Sequence, residues 1–291
     1  MKQIDYTVVI PAYNCAAFLR VLIDNIQSNC RKYRPQSILI VDDGSCDDDN
    51  ATKFVANIYS SSSLPIRCIP TEHRGPLFAE QTGLDAVNTD YAVVMHSDTR
   101  LLHKFYKRDD VHSDTLSVLA SYISQVSNAV AIAPFTMCYE MPNRVQTGPR
   151  ALGIDKLPYS YYRQYEFDGL KKVKYNDWKE IYSCDNALYI MRMSCYNEIR
   201  FDEAFAPYLY YHDDFFARAR LKGFCTYITQ DVIAFHPRFI KKPENSLSIM
   251  SDELYQRNRK LFLSRWTDNA AWTEKSFKQQ VLKKELIEGK N

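Results

Sequence analysis

Residues 6–14, YTVVIPAYN, place a short β-branched apolar run directly before a proline and a polar Tyr-Asn pair. The composition of residues 6–10 predicts a buried strand that ends before Pro11. The same pattern returns at residues 37–41, SILIV, which the acidic turn Asp42-Asp43-Gly44 follows. Short buried strands that each lead into a polar turn are typical of α/β domains.

Strand and helix patterns alternate along the chain, and this alternation predicts a mostly parallel, doubly wound sheet flanked by helices. The predicted strands span residues 6–10, 37–41, 66–69, 91–95, 129–133, 186–191, 224–229 and 232–235. The predicted helices cover residues 18–26, 48–59, 77–87, 113–125 and 213–222, with two more in 252–290. Residues 138–178 are rich in proline, glycine and tyrosine, and they fit either a functional loop or a surface insertion.

The composition of the 291-residue chain excludes several classes of protein. A formal net charge of +2 provides no bulk basic field, so nucleic acid is not an expected partner. The eight cysteines include no C-x-x-C pair, and they predict reduced core thiols of a cytoplasmic protein. No apolar stretch approaches the ~20 residues needed to span a bilayer, so a soluble or peripheral protein is expected.

Three polar clusters follow the first, second and fourth predicted strands: Pro11-Ala12-Tyr13-Asn14, Asp42-Asp43-Gly44-Ser45 and His96-Ser97-Asp98-Thr99. Ligands of an open parallel sheet bind outside the carboxyl ends of its strands, so these clusters are expected to converge. Carboxylates suit a hard divalent cation, and a tyrosine ring suits a nucleobase.

The convergence predicts a site for a nucleoside diphosphate and a divalent metal. Tyr13 would stack on the base, Asp43 would accept hydrogen bonds from the base or ribose, and Asp98 would hold the metal. The sequence contains no glycine-rich phosphate loop, so the metal would neutralise much of the phosphate charge.

Several motifs in sequence order resemble family-2 inverting glycosyltransferases of the GT-A fold. Residues 8–14 and 40–45 are similar to the opening of that family, and residues 72–83 resemble its Asn-x-Gly and Ala-x-Asn-x-Gly patterns. His96-Ser97-Asp98 stands where the family has its Asp-x-Asp metal motif. Residues 200–205 resemble the family's Phe-Asp-Glu turn, residues 212–223 its acidic helix, and His236 a late metal-ligand histidine. The resemblance covers residues 6–238.

This resemblance implies an α/β fold of GT-A type, with a doubly wound, Rossmann-like mixed sheet flanked by helices, in residues 1–240. Residues 1–100 would form the nucleotide-binding half and residues 101–240 the acceptor half. The implied reaction moves a sugar, with inversion, from a UDP-, GDP- or dTDP-sugar to a hydroxyl of a glycan or glycoconjugate, with Mn²⁺ or Mg²⁺ as cofactor.

Residues 241–291 are expected to form a C-terminal helical extension that packs on the domain. The alternative is a weak peripheral contact of these basic helices with a membrane, since cationic amphipathic helices bind anionic lipid. Glutamates dilute the charge of this segment, which favours the packed helix.

The resemblance also implies roles for individual residues. Asp98 would bind the metal with His236, while His96 is either a third ligand or a structural residue. Asp185 would face the acceptor or the donor sugar. The residues expected to hold the donor nucleotide are Pro11, Ala12, Tyr13, Asn14, Asp43, Arg74 and Ser97.

The catalytic base is expected at the start of the acidic helix. Spacing from Arg218 and Gly223 puts His212 at the position of the family's base and Asp214 at its second acid. The family's base is a carboxylate, which favours Asp213, with His212 and Asp214 as rivals. An alternative is that the two acids only complement the helix dipole.

Two other functions remain open from the sequence. A sugar nucleotidyltransferase has a similar core, but it typically opens with a glycine-rich loop that residues 11–14 do not provide. A catalytically inactive relative that binds nucleotide or glycan is the second alternative, because His96 replaces an acidic metal ligand.

Overall fold

The computed structural model describes residues 4–46, 63–101, 114–138, 141–145, 178–181, 183–184, 186–236 and 251–266. Four predictions lie wholly or largely outside these residues: the helix over 48–59, the loop or insertion of residues 138–178, the role of Asp185, and the second helix of the C-terminal tail.

Ten strands make up the described part of the sheet. Their bounds are β1 Tyr6–Ala12, β2 Ser37–Asp43, β3 Ile66–Thr71, β4 Tyr91–Met95, β5 Arg100–Leu101, β6 Ala129–Cys138, β7 Met141–Val145, β8 Trp178–Ile181, β9 Leu188–Arg192 and β10 Cys225–His236. The described α-helices are α1 Ala16–Ser28, α2 Pro76–Asp85, α3 Thr115–Gln125, α4 Met193–Ile199, α5 Tyr211–Leu221 and α6 Asp252–Trp266.

The strand order is β3-β2-β1-β4-β9-β6-β10-β5, with β7 beside β6 and β8 beside β10. The pairs β1–β2, β1–β4, β2–β3 and β6–β10 are parallel. Strand β9 lies antiparallel between β4 and β6, and the remaining pairs are antiparallel as well. The mixed sheet is confirmed: six strands run in one direction, and β9 runs against its neighbours β4 and β6.

Strands β1 and β10 are among those whose bounds differ from the sequence prediction. Strand β1 continues through Pro11 to Ala12, because both residues stay in parallel register with β2. The two strands predicted at 224–229 and 232–235 are one strand, β10, whose pairing with β6 shifts register between Thr229 and Ile233. A bulge of this kind absorbs extra residues while the strand continues, so an apolar pattern broken by polar residues 230–231 does not end it.

Both faces of the sheet are covered by apolar side chains, as doubly winding requires. On β1, Val9 belongs to the core that includes residues of α2, α5 and α6, whereas Val8 and Ile10 belong to the core that includes α1 and α3. Successive side chains of a strand point to opposite faces, so β1 contributes to both cores.

Helix α6 is part of the first of these cores. Phe262 is fully buried and Trp266 is nearly so, and both pack with residues of α5. The buried amide of Asn258 donates to the carbonyl oxygens of Phe205, Tyr208 and Leu209, at 2.8, 2.6 and 3.2 Å. The segment before α5 is therefore tied directly to α6.

The described cysteines are mostly buried, as predicted for core thiols. The seven cysteines whose side chains are described are free thiols, and five of them are buried. Within the described residues, no helix combines the length and apolar character required to cross a bilayer.

Gly83 is expected to tolerate no larger residue, because α2 packs closely on the sheet there. A Cβ atom at this position would lie 2.4 Å from Val9 Cγ1 and 3.0 Å from Val41 Cγ2. Gly83→Ala gains about 1 kcal/mol of helix propensity but overpacks the core, which costs about 1–3 kcal/mol. We expect the free energy of unfolding in urea to fall. Val21→Ala, at an exposed position of α1, is the control and should leave it unchanged. A Gly83→Ala protein as stable as the parent would contradict this close packing.

Candidate active site

The ends of β2, β1 and β4 meet at one edge of the sheet, because these strands are neighbours and run parallel. Two hydrogen bonds join the loops after β1 and β2. The Asn14 amide N–H donates to Ser45 Oγ at 2.9 Å, and the Cys46 amide N–H donates to Asn14 Oδ1 at 2.8 Å. Pro11 and Ala12 lie within β1 rather than in the loop.

Asp43 is buried at this edge, and three groups hold its carboxylate. The amide N–H groups of Arg74 and Gly75 donate to Oδ1 and Oδ2, each at 2.9 Å. His73 Nδ1 lies 2.9 Å from Oδ2 and 3.0 Å from the Asp43 carbonyl oxygen. Since both oxygens only accept, Nδ1 is the donor. Gly75 makes this approach with a φ of 96°, a conformation that suits glycine.

His73 also stacks on Tyr13, with ring centroids 4.1 Å apart and an interplanar angle of 16°. The two residues predicted to hold a nucleobase, Tyr13 and Asp43, are therefore both in contact with one imidazole ring. His73 had no predicted role, and its only signal in the sequence was its place in the family-like stretch of residues 72–83.

Arg74 lies beside this group. Its guanidinium carbon sits 3.7 Å from the centre of the Phe78 ring, which fixes the cation over an aromatic face. A cavity of about 240 Å³ opens there, lined by Asp43, Thr71, Glu72, Arg74, Phe78 and Thr82. The predicted nucleotide residues Asp43 and Arg74 thus share one cavity.

A second cluster follows β4. His96 Nδ1 lies 3.4 Å from His236 Nε2, which lies 3.2 Å from Asp98 Oδ1. One nitrogen or oxygen atom of each residue lies within 4.8 Å of the others. His236 reaches this point because β10 pairs with β5, and the register sets Phe235 opposite Arg100.

Strand β9 and Arg100 order the turn that carries Asp98. The Ala187 carbonyl oxygen, just before β9, accepts from the His96 amide N–H at 3.0 Å and from Thr99 Oγ1 at 2.9 Å. Arg100 Nη1 donates to the carbonyl oxygens of Ser97 and Thr99, at 3.1 and 2.8 Å. The turn is therefore held by contacts on both sides.

The histidines keep Asp98 ionised. Burial raises the pKa of the Asp98 carboxyl, but the hydrogen bond from His236 and the electrostatic influence of His236 and His96 outweigh burial. The pKa consequently lies below its ordinary value, so the carboxylate carries its charge at neutral pH.

The three candidate bases at the start of α5 have different surroundings. Asp213 is half-buried. Asp214 is fully buried, and its carboxylate accepts from Arg218 Nε at 2.7 Å, Arg265 Nη1 at 3.0 Å and Trp266 Nε1 at 3.1 Å.

His212 points into the protein rather than outward. Its ring is buried, and Nε2 lies 2.8 Å from Glu80 Oε2, although not in hydrogen-bond geometry. Glu80 had no predicted role, although one signal was available. It follows Leu77 by three residues and precedes Leu84 by four, which places it on the buried face of α2.

The chain is similar to known proteins. Over 127 residues the chain is 28% identical to the amylovoran biosynthesis glycosyltransferase AmsB of Erwinia amylovora, a match that covers 43% of this chain and 38% of that relative.

Solved structures share the fold at low identity. A mannosyltransferase from Pyrobaculum calidifontis, PcManGT, in complex with GDP-Man and Mn²⁺, has a TM-score of 0.52 at 16% identity, over 79% of this chain and 56% of that one. GalNAc-T7 with UDP, GalNAc and Mn²⁺ has a TM-score of 0.60 at 11% identity, over 81% and 44%. S. aureus TarS 1-349 with UDP-GlcNAc has a TM-score of 0.57 at 14% identity, over 87% and 64%. The chain spans less than two thirds of the length of each of these proteins.

The model of glycosyl transferase family 2 matches residues 7–194, well over half of the chain. The matched residues include the ends of β1, β2 and β4, and therefore Tyr13, Asp43 and Asp98. The candidate bases and His236 lie beyond them. On this match, the chain belongs to glycosyl transferase family 2.

Proposed function

We propose that the protein transfers a sugar from a nucleoside-diphosphate sugar to a hydroxyl group, with a divalent metal and with inversion at the anomeric carbon. One observation carries the proposal. The cluster of His96, Asp98 and His236 lies at the same sheet edge as His73 and its two partners, Tyr13 and Asp43. A metal beside a group that could hold a nucleobase would suit a nucleoside diphosphate.

The cluster suits a divalent cation. Ligand atoms about 2.1 Å from a shared ion stand roughly 3–3.5 Å apart, and the cluster has spacings of 3.4 and 3.2 Å. Two imidazoles with one carboxylate favour Mn²⁺ over Mg²⁺, which prefers carboxylate and water. A cation bound there supplies positive charge against the diphosphate as it leaves.

Asp213 is proposed as the base. It would take the proton of the acceptor hydroxyl as that oxygen attacks the anomeric carbon. The bond from this carbon to the diphosphate breaks with its electron pair remaining on the diphosphate. Half-burial leaves Asp213 open to an acceptor, whereas Asp214 is enclosed and saturated by three donors.

The donor would lie along the sheet edge. Tyr13, Asn14 and Asp43 would hold the nucleoside, and Arg74 and Ser97 would lie along its phosphates. The structural relatives carry UDP, UDP-GlcNAc or GDP-Man, which supports a nucleoside-diphosphate sugar as the donor class. AmsB is named for the biosynthesis of amylovoran, which supports a glycan or glycoconjugate acceptor.

A donor screen tests the function. The protein is incubated with UDP-, GDP- and dTDP-sugars, each with Mn²⁺, Mg²⁺ or EDTA, and released nucleoside diphosphate is measured. We expect one donor to be hydrolysed slowly with Mn²⁺, less with Mg²⁺ and not with EDTA. Release of pyrophosphate would instead indicate a nucleotidyltransferase. Absence of both turnover and metal-dependent nucleotide binding would overturn the proposal in favour of an inactive relative.

A further inference from the structure

Glu80 forms a buried cluster with residues of α5 and β9. Its side chain is 1% exposed. Oε2 accepts from the Tyr211 hydroxyl at 2.7 Å and lies 2.8 Å from His212 Nε2, while Oε1 accepts from the Tyr189 hydroxyl at 3.4 Å. The contacts of this carboxylate thus come from two tyrosines and one histidine.

The pairing with His212 accounts for the burial of an acid between two helices. A carboxylate enclosed in protein is strongly unfavourable without a partner, and removal of one partner of a buried pair is costly for the other. The pair therefore joins α2 to α5, because each helix contributes one of its two members.

The start of α5 depends on outside contacts. Its N-cap residue, Tyr210, makes no side-chain capping bond. Leu209 and Tyr210 have φ values of 72° and 66°, which are unfavourable for residues other than glycine. Such a backbone persists only where the surrounding structure holds it. Asn258 holds the segment from the side of α6, and Glu80 holds Tyr211 and His212 from the side of α2.

We propose that Glu80 is a positioning residue for the transfer reaction. By anchoring Tyr211 and His212, it fixes the first turn of α5 and with it the carboxylate of Asp213, the next residue in the chain. This inference rests on the proposed function. Small displacements of a base cost rate rather than donor affinity, because the donor does not contact the base.

The test compares two buried glutamates that each pair with a residue of α5. Glu80→Gln removes the charge that pairs with His212 at the start of α5. Glu180→Gln removes the charge that pairs with the buried Arg220 near the end of α5. We expect Glu80→Gln to lower kcat at least tenfold with an unchanged donor KM, and Glu180→Gln to leave both constants near the parent values. Melting temperatures of the two variants separate loss of fold from loss of rate.

Hydrogen exchange provides a readout that does not depend on turnover. Glu80→Gln should accelerate amide exchange in residues 211–214, and Glu180→Gln should not. Equal kcat in the two variants, or unchanged exchange in residues 211–214, would overturn the role of Glu80. If the parent protein turns over no donor, the proposed function fails, and exchange alone then decides whether Glu80 anchors the turn.

Discussion

Asp98→Asn is expected to lower turnover of the nucleotide-sugar donor by about a thousandfold. A bound metal supplies several kcal/mol of charge stabilisation, and about 1.4 kcal/mol corresponds to a factor of ten. The amide has nearly the same shape as the carboxylate but lacks the charge that His236 and His96 stabilise. The measurement is the initial rate with Mn²⁺, together with the rise in melting temperature on adding Mn²⁺, which the variant should lose.

Asp90→Asn is the matched control for this change. Asp90 is an exposed carboxylate that precedes β4, at the opposite end of the strand from Asp98. Its replacement should leave both the rate and the effect of Mn²⁺ intact. A fully active Asp98→Asn protein would reject Asp98 as a metal ligand.

Asp213→Asn is expected to lower kcat by about 10²–10⁴, the usual contribution of a general base. The amide cannot take a proton from the acceptor hydroxyl, while the donor site at the ends of β1, β2 and β4 stays intact. Affinity for the nucleoside diphosphate should therefore be unchanged. Single-turnover kinetics with saturating donor and acceptor measure the effect directly.

Asp214→Asn separates the two neighbouring acids. Removing the charge leaves Arg218 and Arg265 without their shared partner, and both arginines are about a third exposed or less. We expect a loss of about 2 kcal/mol in stability, below the usual cost of breaking a fully buried pair because water can reach the arginines. A folded Asp214→Asn protein with little activity, beside an active Asp213→Asn protein, would mean that Asp214 and not Asp213 is the base.

Local patterns were sufficient to predict most of the strands near the site. Residues 91–95 form β4 as predicted, because a fully buried strand appears as a continuous apolar run. The direction of β9 was not predictable in this way, since an apolar run has the same composition whichever way it runs. The register shift in β10 was missed for a related reason, because only the pairing with β6 keeps the strand continuous past residues 230–231.

The site was predictable where it follows strand ends, and less so where it depends on contacts between distant elements. In the cluster of His96, Asp98 and His236, only the family resemblance suggested His236. The sequence alone does not show its position, because the pairing of β10 with β5 is what brings it close to Asp98. His73 and Glu80 were missed because a histidine in a loop and a glutamate in a helix are ordinary surface residues by composition. Their importance follows from Tyr13, Asp43 and His212, which they contact across the fold.

The contacts of Asp214 also bear on the order in which the chain can fold during synthesis. Arg218, within α5, donates to one carboxylate oxygen. The donors to the other oxygen are Arg265 and Trp266, which follow 51 and 52 residues later. Chains emerge from the ribosome amino end first, at about 5–20 residues per second. The strand ends at Tyr13, Asp43 and Asp98 can thus assemble seconds before the helix that carries Asp213 acquires its last partners.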